Sequence, residues 1–194
     1  MAGKRPYRLG KRKASVDETR RRIVEAAGLE YQDNGIENTS MQAVARRADV
    51  AAGTVLYHYP TPEDLADAVV ESWTEQLRAP SSDAIDPDAP LAERVSALVR
   101  ELFGLFERSE WAYQVYQKSP DHPSLAKGNQ WWEENVGSML FAALGERAQD
   151  SETVQVISAL TNPGFRGTLL ETGLSSERAV EVATRLALGW LGEG

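Results

Sequence analysis

The stretch that decides the fold runs from residue 39 to residue 58 and reads TSMQAVARRADVAAGTVLYH. Its first half carries apolar residues at the spacing of one helix face, namely Met41, Val44, Ala45 and Ala48. Thr39, with Gln42 three residues later, fits a capping box at the start of this helix. Asp49 begins a turn, and a second short helix is predicted over about 51–58 because a proline follows at position 60. This pattern is typical of a helix-turn-helix.

A longer helix and a basic arm precede this stretch. Apolar residues repeat at helical spacing from about residue 17 to Asn34–Gly35, which ends the pattern, and the repeat comprises Ile23, Ala27 and Tyr31. Residues 1–16 are rich in Lys, Arg, Gly and Pro without helical periodicity, which predicts a flexible basic arm. We therefore expect a domain of three helices over residues 17–62.

The remainder of the chain, residues 63–194, predicts helices alone and forms the expected second domain. A helix that starts near Thr61 continues to about Arg78, and a loop rich in Pro, Ser and Asp occupies residues 79–90. No alternation typical of strands appears. The other predicted helices lie from Leu91 past Leu105, at 110–118, at about 124–148, at about 151–171 with an interruption at Asn162-Pro163-Gly164, and at about 176–191. The expected fold is all α, with about nine helices.

Charge is distributed unevenly between the two expected domains. The whole chain has a net charge of -8, yet residues 1–62 hold 11 basic and 7 acidic side chains, whereas residues 63–194 hold 10 and 22. A basic segment ahead of an acidic one is typical of a module that binds a polyanion, joined to a body with another role. The chain has no cysteine and no apolar run of the roughly 20 residues that span a bilayer, which predicts a soluble, cytoplasmic protein.

Residues 19–65 resemble the DNA-binding domain of TetR-type transcriptional regulators. The similarity is carried by Thr19–Tyr31, Gly35, Thr39–Val50 and Gly53–Leu65. It implies a regulator, expected to be a repressor, that binds a palindromic operator as a dimer and is released by a small molecule. The resemblance, together with the exposed positions of the two short helices, gives these candidate DNA contacts: Thr39, Ser40, Gln42, Arg46, Ala52, Thr54, Tyr57 and His58, with Lys11, Arg12 and Lys13 of the arm.

Several positions depart from the family pattern. Asp49 stands where a turn glycine is usual, and aspartate accepts left-handed backbone better than most residues. Ala52, Leu56 and Pro62 replace residues that commonly contact phosphate. These changes deplete the backbone contacts, and we expect the basic arm to compensate by lying along phosphates or in the minor groove.

The resemblance also implies an effector pocket and a dimer seam in the second domain. The last two predicted helices, 151–171 and 176–191, are the expected seam. Aromatic residues are the candidates for the pocket, although core packing is the default explanation for any one of them: Trp73, Phe103, Phe106, Trp111, Tyr113, Tyr116, Trp131 and Trp132. An effector of largely apolar character is expected.

Two other function classes compete with a ligand-responsive regulator. One is a DNA-binding or architectural protein without an effector. The other is an enzyme, which the sequence disfavours because it has two histidines, no cysteine, no HExxH or GxSxG motif and no phosphate-binding loop. Neither a cofactor nor a metal site is predicted.

Overall fold

The computed structural model describes residues 7–77 and 81–193. For residues 7–13, Lys127 and Trp131 it describes the backbone and not the side chain. In these ranges the regular structure is helical and no strand occurs, which confirms the all-α prediction. The helices are α1 (Tyr7–Asn34), α2 (Met41–Arg47), α3 (Ala52–His58), α4 (Pro62–Gln76), α5 (Leu91–Arg108), α6 (Glu110–Lys118), α7 (Ala126–Leu144), α8 (Ser151–Leu160), α9 (Pro163–Glu171) and α10 (Ser176–Trp190).

The beginning of α1 differs from the sequence prediction. The helix begins at Tyr7, so the expectation of a flexible arm is wrong for residues 7–16. This segment contains no proline and consists mainly of Lys, Arg, Leu and Ala, which are good helix formers, so it extends the amphipathic helix behind it. Residues 1–6 of the expected arm lie outside the described residues.

The segment 151–171 forms two helices, which accounts for one helix more than predicted. Asn162 ends the continuity because its side-chain oxygen accepts a hydrogen bond from the Phe165 backbone N–H at 2.7 Å. Pro163 follows as the first residue of α9, where its missing N–H is not needed. The interruption is therefore a complete break with a new N-cap.

The first unit consists of the chain up to Gln76 together with Gln114–Gly128. Its buried core includes Ile23 and Tyr31 of α1, Val44 of α2 and Val55 of α3. Four residues of α4 are buried in the same core: Leu65, Ala66, Val69 and Val70. The boundary expected after residue 62 therefore moves to the end of α4, because its apolar face packs on the helix-turn-helix.

The second unit consists of residues 77–113 and 129–193. Its core is built on α5, whose buried residues recur at helical spacing from Val95 to Phe106. A row of alanines on α10, at 179, 183 and 187, is fully buried and lets α10 pack closely against α5. Met139 and Leu144 of α7 complete this core. Across the described ranges, no helix is long and apolar enough to cross a membrane.

Candidate nucleic-acid interface

The start of α2 is fixed by Ser40. Its hydroxyl oxygen accepts a hydrogen bond from the Ala43 backbone N–H at 3.1 Å, which satisfies one of the free donors of the helix start. Thr39 instead donates its hydroxyl to the Gly35 carbonyl at 2.8 Å. The expectation that Thr39 is the cap of a capping box is wrong, because that hydroxyl is already used by the end of α1.

The turn between α2 and α3 has the backbone that the sequence predicted. Asp49 has φ of 52°, in the left-handed region, and is the one non-glycine residue with positive φ in the described part of the chain. Arg22 of α1 holds this turn, because its guanidinium donates to the Ala48 carbonyl and, at 3.2 Å, to the Asp49 carbonyl. Sequence reasoning missed Arg22, since nothing local to position 22 indicates a partner 26 residues away.

The orientation of α3 follows from which side chains it buries. Val55 is fully buried and Tyr59, just after the helix, is 3% exposed. Tyr57 consequently faces outward and is 81% exposed, with its ring edge-on to His58 at 5.2 Å between centroids. His58 and Thr54 are half-buried, whereas Ala52 is exposed. An 81% exposed tyrosine is poorly explained by packing and is available to a ligand.

Arg20 ties α1 to the end of α3. Its Nε donates to the Tyr59 hydroxyl at 3.3 Å, and its guanidinium carbon lies 5.5 Å from the centroid of that ring. The hydrogen bond with Tyr59 raises the pKa of Arg20. The two contacts hold the end of α3 against α1. They act on the side of α3 opposite the exposed face that carries Tyr57.

The two arginines at the end of α2 have different roles. Arg47 pairs with Glu30 at 2.8 Å and with Asp33 at 2.6 Å, and the hydrogen bond to Asp33 raises the pKa of Arg47. Arg46 is exposed and makes no ion pair with any residue that the structure describes. Gln42, one turn before it, is also exposed. Arg46 is therefore the cation that α2 offers to the outside.

The predicted DNA contacts thus share one environment, with an exception at the arm. Neither α2 nor α3 contains an acidic residue, so their outer surfaces present hydroxyl, amide, imidazole and guanidinium groups, while the exposed carboxylate of Asp49 lies in the turn between them. Ser40, Gln42, Arg46, Ala52 and Tyr57 are exposed, and Thr39, Thr54 and His58 are half-buried. The side chains of Lys11, Arg12 and Lys13 lie outside the described residues.

The aromatic residues predicted for the pocket divide between the two units. Phe103 and Phe106 are buried in the second core, and Trp132 stacks on Phe106 at 5.1 Å between centroids. Trp111 and Tyr113 are half-buried at the start of α6.

Two members of this set do not belong to the second unit. Trp73 packs in the first unit, where its ring would lie 3.3 Å from a Cβ placed on Gly28. Tyr116 is 41% exposed and lies on the part of α6 that belongs to the same unit. The reason is that α4 and the end of α6 complete the first core. The side chain of Trp131 lies outside the described residues.

A surface groove of about 410 Å³ lies in the second unit between α5 and α10. Ser96 and Arg100 of α5 and Val180, Thr184 and Leu188 of α10 contribute to its walls. None of the predicted aromatic residues lines it. The groove is therefore distinct from the expected effector site.

Comparison with known proteins supports the assignment of the N-terminal unit. Residues 23–69 match the model of bacterial regulatory proteins of the tetR family. The chain is 33% identical over 121 residues to the transcriptional repressor DrrR1 of Streptomyces coeruleorubidus, an alignment that covers 61% of this chain and 41% of that protein. It spans about half the length of other curated relatives that it matches.

Solved structures extend the similarity to both units. The structure of a TetR family member from Streptomyces coelicolor A3 is 30% identical, with a TM-score of 0.59 over 87% of this chain and 98% of that chain. The multidrug binding protein EbrR, in its complex with imidazole, is also 30% identical, with a TM-score of 0.59 over 87% of this chain and 89% of that chain. With this identity over nearly the whole length and the N-terminal match, the chain belongs to the TetR family of bacterial transcriptional regulators.

Proposed function

We propose that this chain is a transcriptional repressor that binds a palindromic operator as a homodimer and is released by a small molecule bound in its second unit. The protein acts in the cytoplasm, on double-stranded DNA. The repressor DrrR1 and the multidrug binding protein EbrR, which has been seen with imidazole, proflavin, ethidium and malachite green, support this combination of roles.

The single observation that carries the proposal is the exposure of Tyr57 on the outer face of α3. A tyrosine that is 81% exposed, beside a histidine and on a helix without acidic residues, suits contact with the sugar-phosphate backbone. Gln42 and Arg46 present further donors from α2, and Thr54 suits a base edge or a thymine methyl group. The basic residues near the start of α1 add phosphate contacts that Ala52, Leu56 and Pro62 do not make.

Dimerisation doubles the number of bases that one short recognition helix reads. We place the seam on α8, α9 and α10. On α10, Leu186 is 48% exposed and Trp190 is 49% exposed, four residues apart, beside the alanine row that packs inward. Two large apolar side chains on one exposed strip of a terminal helix suit burial against a second copy.

Selection of bound DNA from a random double-stranded pool tests the DNA-binding role. The full chain is expected to enrich an inverted repeat, with half-sites about one helical turn apart. Tyr57→Ala should weaken binding to the enriched sequence about tenfold, which is about 1.4 kcal/mol. Tyr116→Ala, which removes another exposed tyrosine from α6, is the matched control and should bind as the unmodified chain does. The absence of an enriched repeat would contradict the proposal.

The release step needs a separate measurement. Compounds that raise the melting temperature of the protein are screened for their ability to dissociate it from the enriched DNA. At least one stabilising compound is expected to do so, because a ligand that binds one state better shifts the equilibrium toward it. Stabilising compounds that leave the DNA complex intact would favour the second candidate function, a DNA-binding protein without an effector.

A further inference from the structure

The groove between α5 and α10 has an unpaired polar atom in its wall. The groove encloses about 410 Å³, and Thr184 of α10 is one of the residues that line it. The hydroxyl oxygen of Thr184 is buried and has no hydrogen-bond partner in the described part of the chain. Because buried polar groups in folded proteins are almost always paired, this hydroxyl indicates a partner from outside the chain.

Other threonines within the helices of this chain use their hydroxyl groups differently. Thr19, Thr74 and Thr168 each donate to the carbonyl four residues earlier, at 2.9, 3.2 and 3.1 Å respectively. The corresponding acceptor for Thr184 is the Val180 carbonyl, which this hydroxyl does not use. Rotation about the Cα–Cβ bond exchanges a threonine hydroxyl with its methyl group, which has a similar size. Thr184 can therefore turn its hydroxyl into the groove without losing a hydrogen bond.

Two arginines of the groove wall have no counter-ion among the described residues. Arg100 of α5 donates from Nη2 to the Ser96 hydroxyl oxygen at 3.2 Å, one turn earlier on the same helix. Arg185 of α10 makes neither an ion pair nor a hydrogen bond with a described residue. The two guanidinium groups thus come from different helices, and both side chains are exposed. They are available to an anion that enters the groove.

The two glutamates of the same wall are already paired with arginines outside the groove. Glu181 forms an ion pair with Arg178, and Glu193 forms one with Arg147 at 3.2 Å. The free charge of the groove is therefore positive. The carboxylates nevertheless stay close by, and like charges repel, so a ligand with one negative charge suits the groove better than a ligand with two.

The groove is separate from the proposed dimer seam. The buried alanine row of α10 has a flank on each side, because a helix turns about 100° per residue. Thr184 directly follows Ala183 and lies on the flank that borders the groove. Val182 and Leu186 lie on the opposite flank by the same geometry. A second copy that packs on Leu186 does not need the groove.

We propose that this groove binds a small organic monoanion, a carboxylate with an aliphatic body. The guanidinium groups of Arg100 and Arg185 bind the carboxylate from the two helices, and the Thr184 hydroxyl donates a hydrogen bond to it. Val180 and Leu188, which line the same groove, contact the aliphatic body. The volume of the groove lies in the range of small-molecule sites. The site is distinct from the expected effector pocket and does not depend on the proposed release from DNA.

The test uses the full chain with butyrate, hexanoate and octanoate, each compared with its uncharged amide by isothermal titration calorimetry. At least one acid is expected to bind the unmodified chain at least about tenfold more tightly than its amide. This preference should fall to about threefold or less in Arg100→Met and in Arg185→Met. Arg108→Met, which removes an exposed arginine of α5 outside the groove, is the matched control and should retain it.

Two results of this comparison would overturn the proposal. One is equal affinity of every acid and its amide for the unmodified chain. The other is an acid preference that persists in both arginine variants, because the acid then binds elsewhere. Inorganic phosphate and hexylamine are titrated as well, and tighter binding of either one than of all three acids would overturn the assignment to a monoanion.

Thr184→Val separates a role in binding from a role in packing, because valine has nearly the shape of threonine. The substitution should weaken binding of the preferred acid about threefold or more. The ligand-free melting temperature should stay the same or rise, because an unpaired buried hydroxyl is removed. A lower melting temperature with unchanged acid binding would assign the hydroxyl a structural role and overturn the proposal.

Dissociation of the DNA complex is measured separately with the enriched sequence. An acid that binds through Arg100 and Arg185 supports the groove site whether or not the DNA is released. Failure of every acid to bind overturns the groove site and leaves the proposed regulator to its own tests.

Discussion

At the scale of single residues, the recognition helices depend on a side chain that comes from outside them. Arg22 reaches from α1 to the two carbonyls that end α2 and begin the turn, at Ala48 and Asp49. These carbonyls have no helical partner, so the guanidinium satisfies groups that are otherwise left unpaired. It also stabilises the left-handed backbone at Asp49 from outside the turn.

We expect Arg22→Met to lower the free energy of unfolding by about 1–3 kcal/mol, because the partly buried Ala48 carbonyl and the exposed Asp49 carbonyl each lose a hydrogen bond. Equilibrium unfolding in urea measures this change. Arg21→Met is the matched control, because Arg21 is exposed and pairs with Glu18 and Glu25 of its own helix. Exposed pairs of this kind contribute less than about 1 kcal/mol. Equal effects of the two substitutions would contradict the role assigned to Arg22.

Residues also differ in how far the sequence predicts their roles. The left-handed turn at Asp49 was predictable, because conformational preference is a local property of the residue. The contacts of Arg20 and Arg22 were not, because their partners lie 39 and 26 residues away.

At the scale of helices, the ends are held by side chains from other elements. After α6 ends, the Ser119 hydroxyl accepts a hydrogen bond from the Ile36 backbone N–H at 2.8 Å and donates one to the Glu37 carboxylate. Gly35, with φ of 83°, allows this approach, because a Cβ there would lie 3.1 Å from the same hydroxyl. The segment after α1 is thereby fixed to the end of α6. The hydrogen bond from Ser119 lowers the pKa of Glu37.

This pKa shift predicts how stability depends on pH. A carboxylate whose folded pKa lies below its ordinary value of about 4.3 stabilises the fold above that pH, and the contribution is lost as pH falls through the folded pKa. The difference in unfolding free energy between the unmodified chain and Glu37→Gln should therefore be constant from pH 7 to about 5 and narrow below about 4.3. Because Glu37 is exposed, we expect the difference to stay below about 1 kcal/mol.

Urea unfolding at a series of pH values measures this difference. Glu75→Gln, at an exposed position of α4 without an ion pair or hydrogen bond among the described residues, serves as the control. The control is expected to follow the unmodified chain throughout the series. A gap between Glu37→Gln and the unmodified chain that widens toward pH 3 would contradict the assignment.

The extent of the helices could be predicted where periodicity was strong. The sequence predicts α6 at its observed bounds from a segment rich in aromatic residues. It predicts α10 within one residue, because a serine start and an apolar repeat mark that helix. The start of α1 was missed because residues 7–16 lack an apolar stripe, although their helix propensity is high. For the segment 151–171 the interruption was visible, but only the hydrogen bond from Phe165 to Asn162 shows that it is a new cap.

At the scale of the whole molecule, the two units have separate cores. The basic character predicted for residues 1–62 belongs to the unit that carries α2 and α3, whereas the acidic remainder contributes most of the second unit. The boundary between the units could not be placed from composition, because α4 has the same apolar pattern whichever core it joins. Packing decides this, and Leu65 and Val69 are buried with the helix-turn-helix.

The proposed dimer can be tested directly, because operator binding by two recognition helices requires two copies of the chain. Trp190→Glu should make the protein monomeric at micromolar concentrations at which the unmodified chain is dimeric, because a carboxylate would replace an apolar side chain in the seam. Sedimentation velocity measures the change, and the monomer should also lose most of its affinity for the inverted repeat. Phe141→Glu provides a matched control, because Phe141 is 62% exposed on α7, outside the proposed seam. If Phe141→Glu dissociates the dimer and Trp190→Glu does not, the second copy binds α7, and the surface on α10 has another purpose.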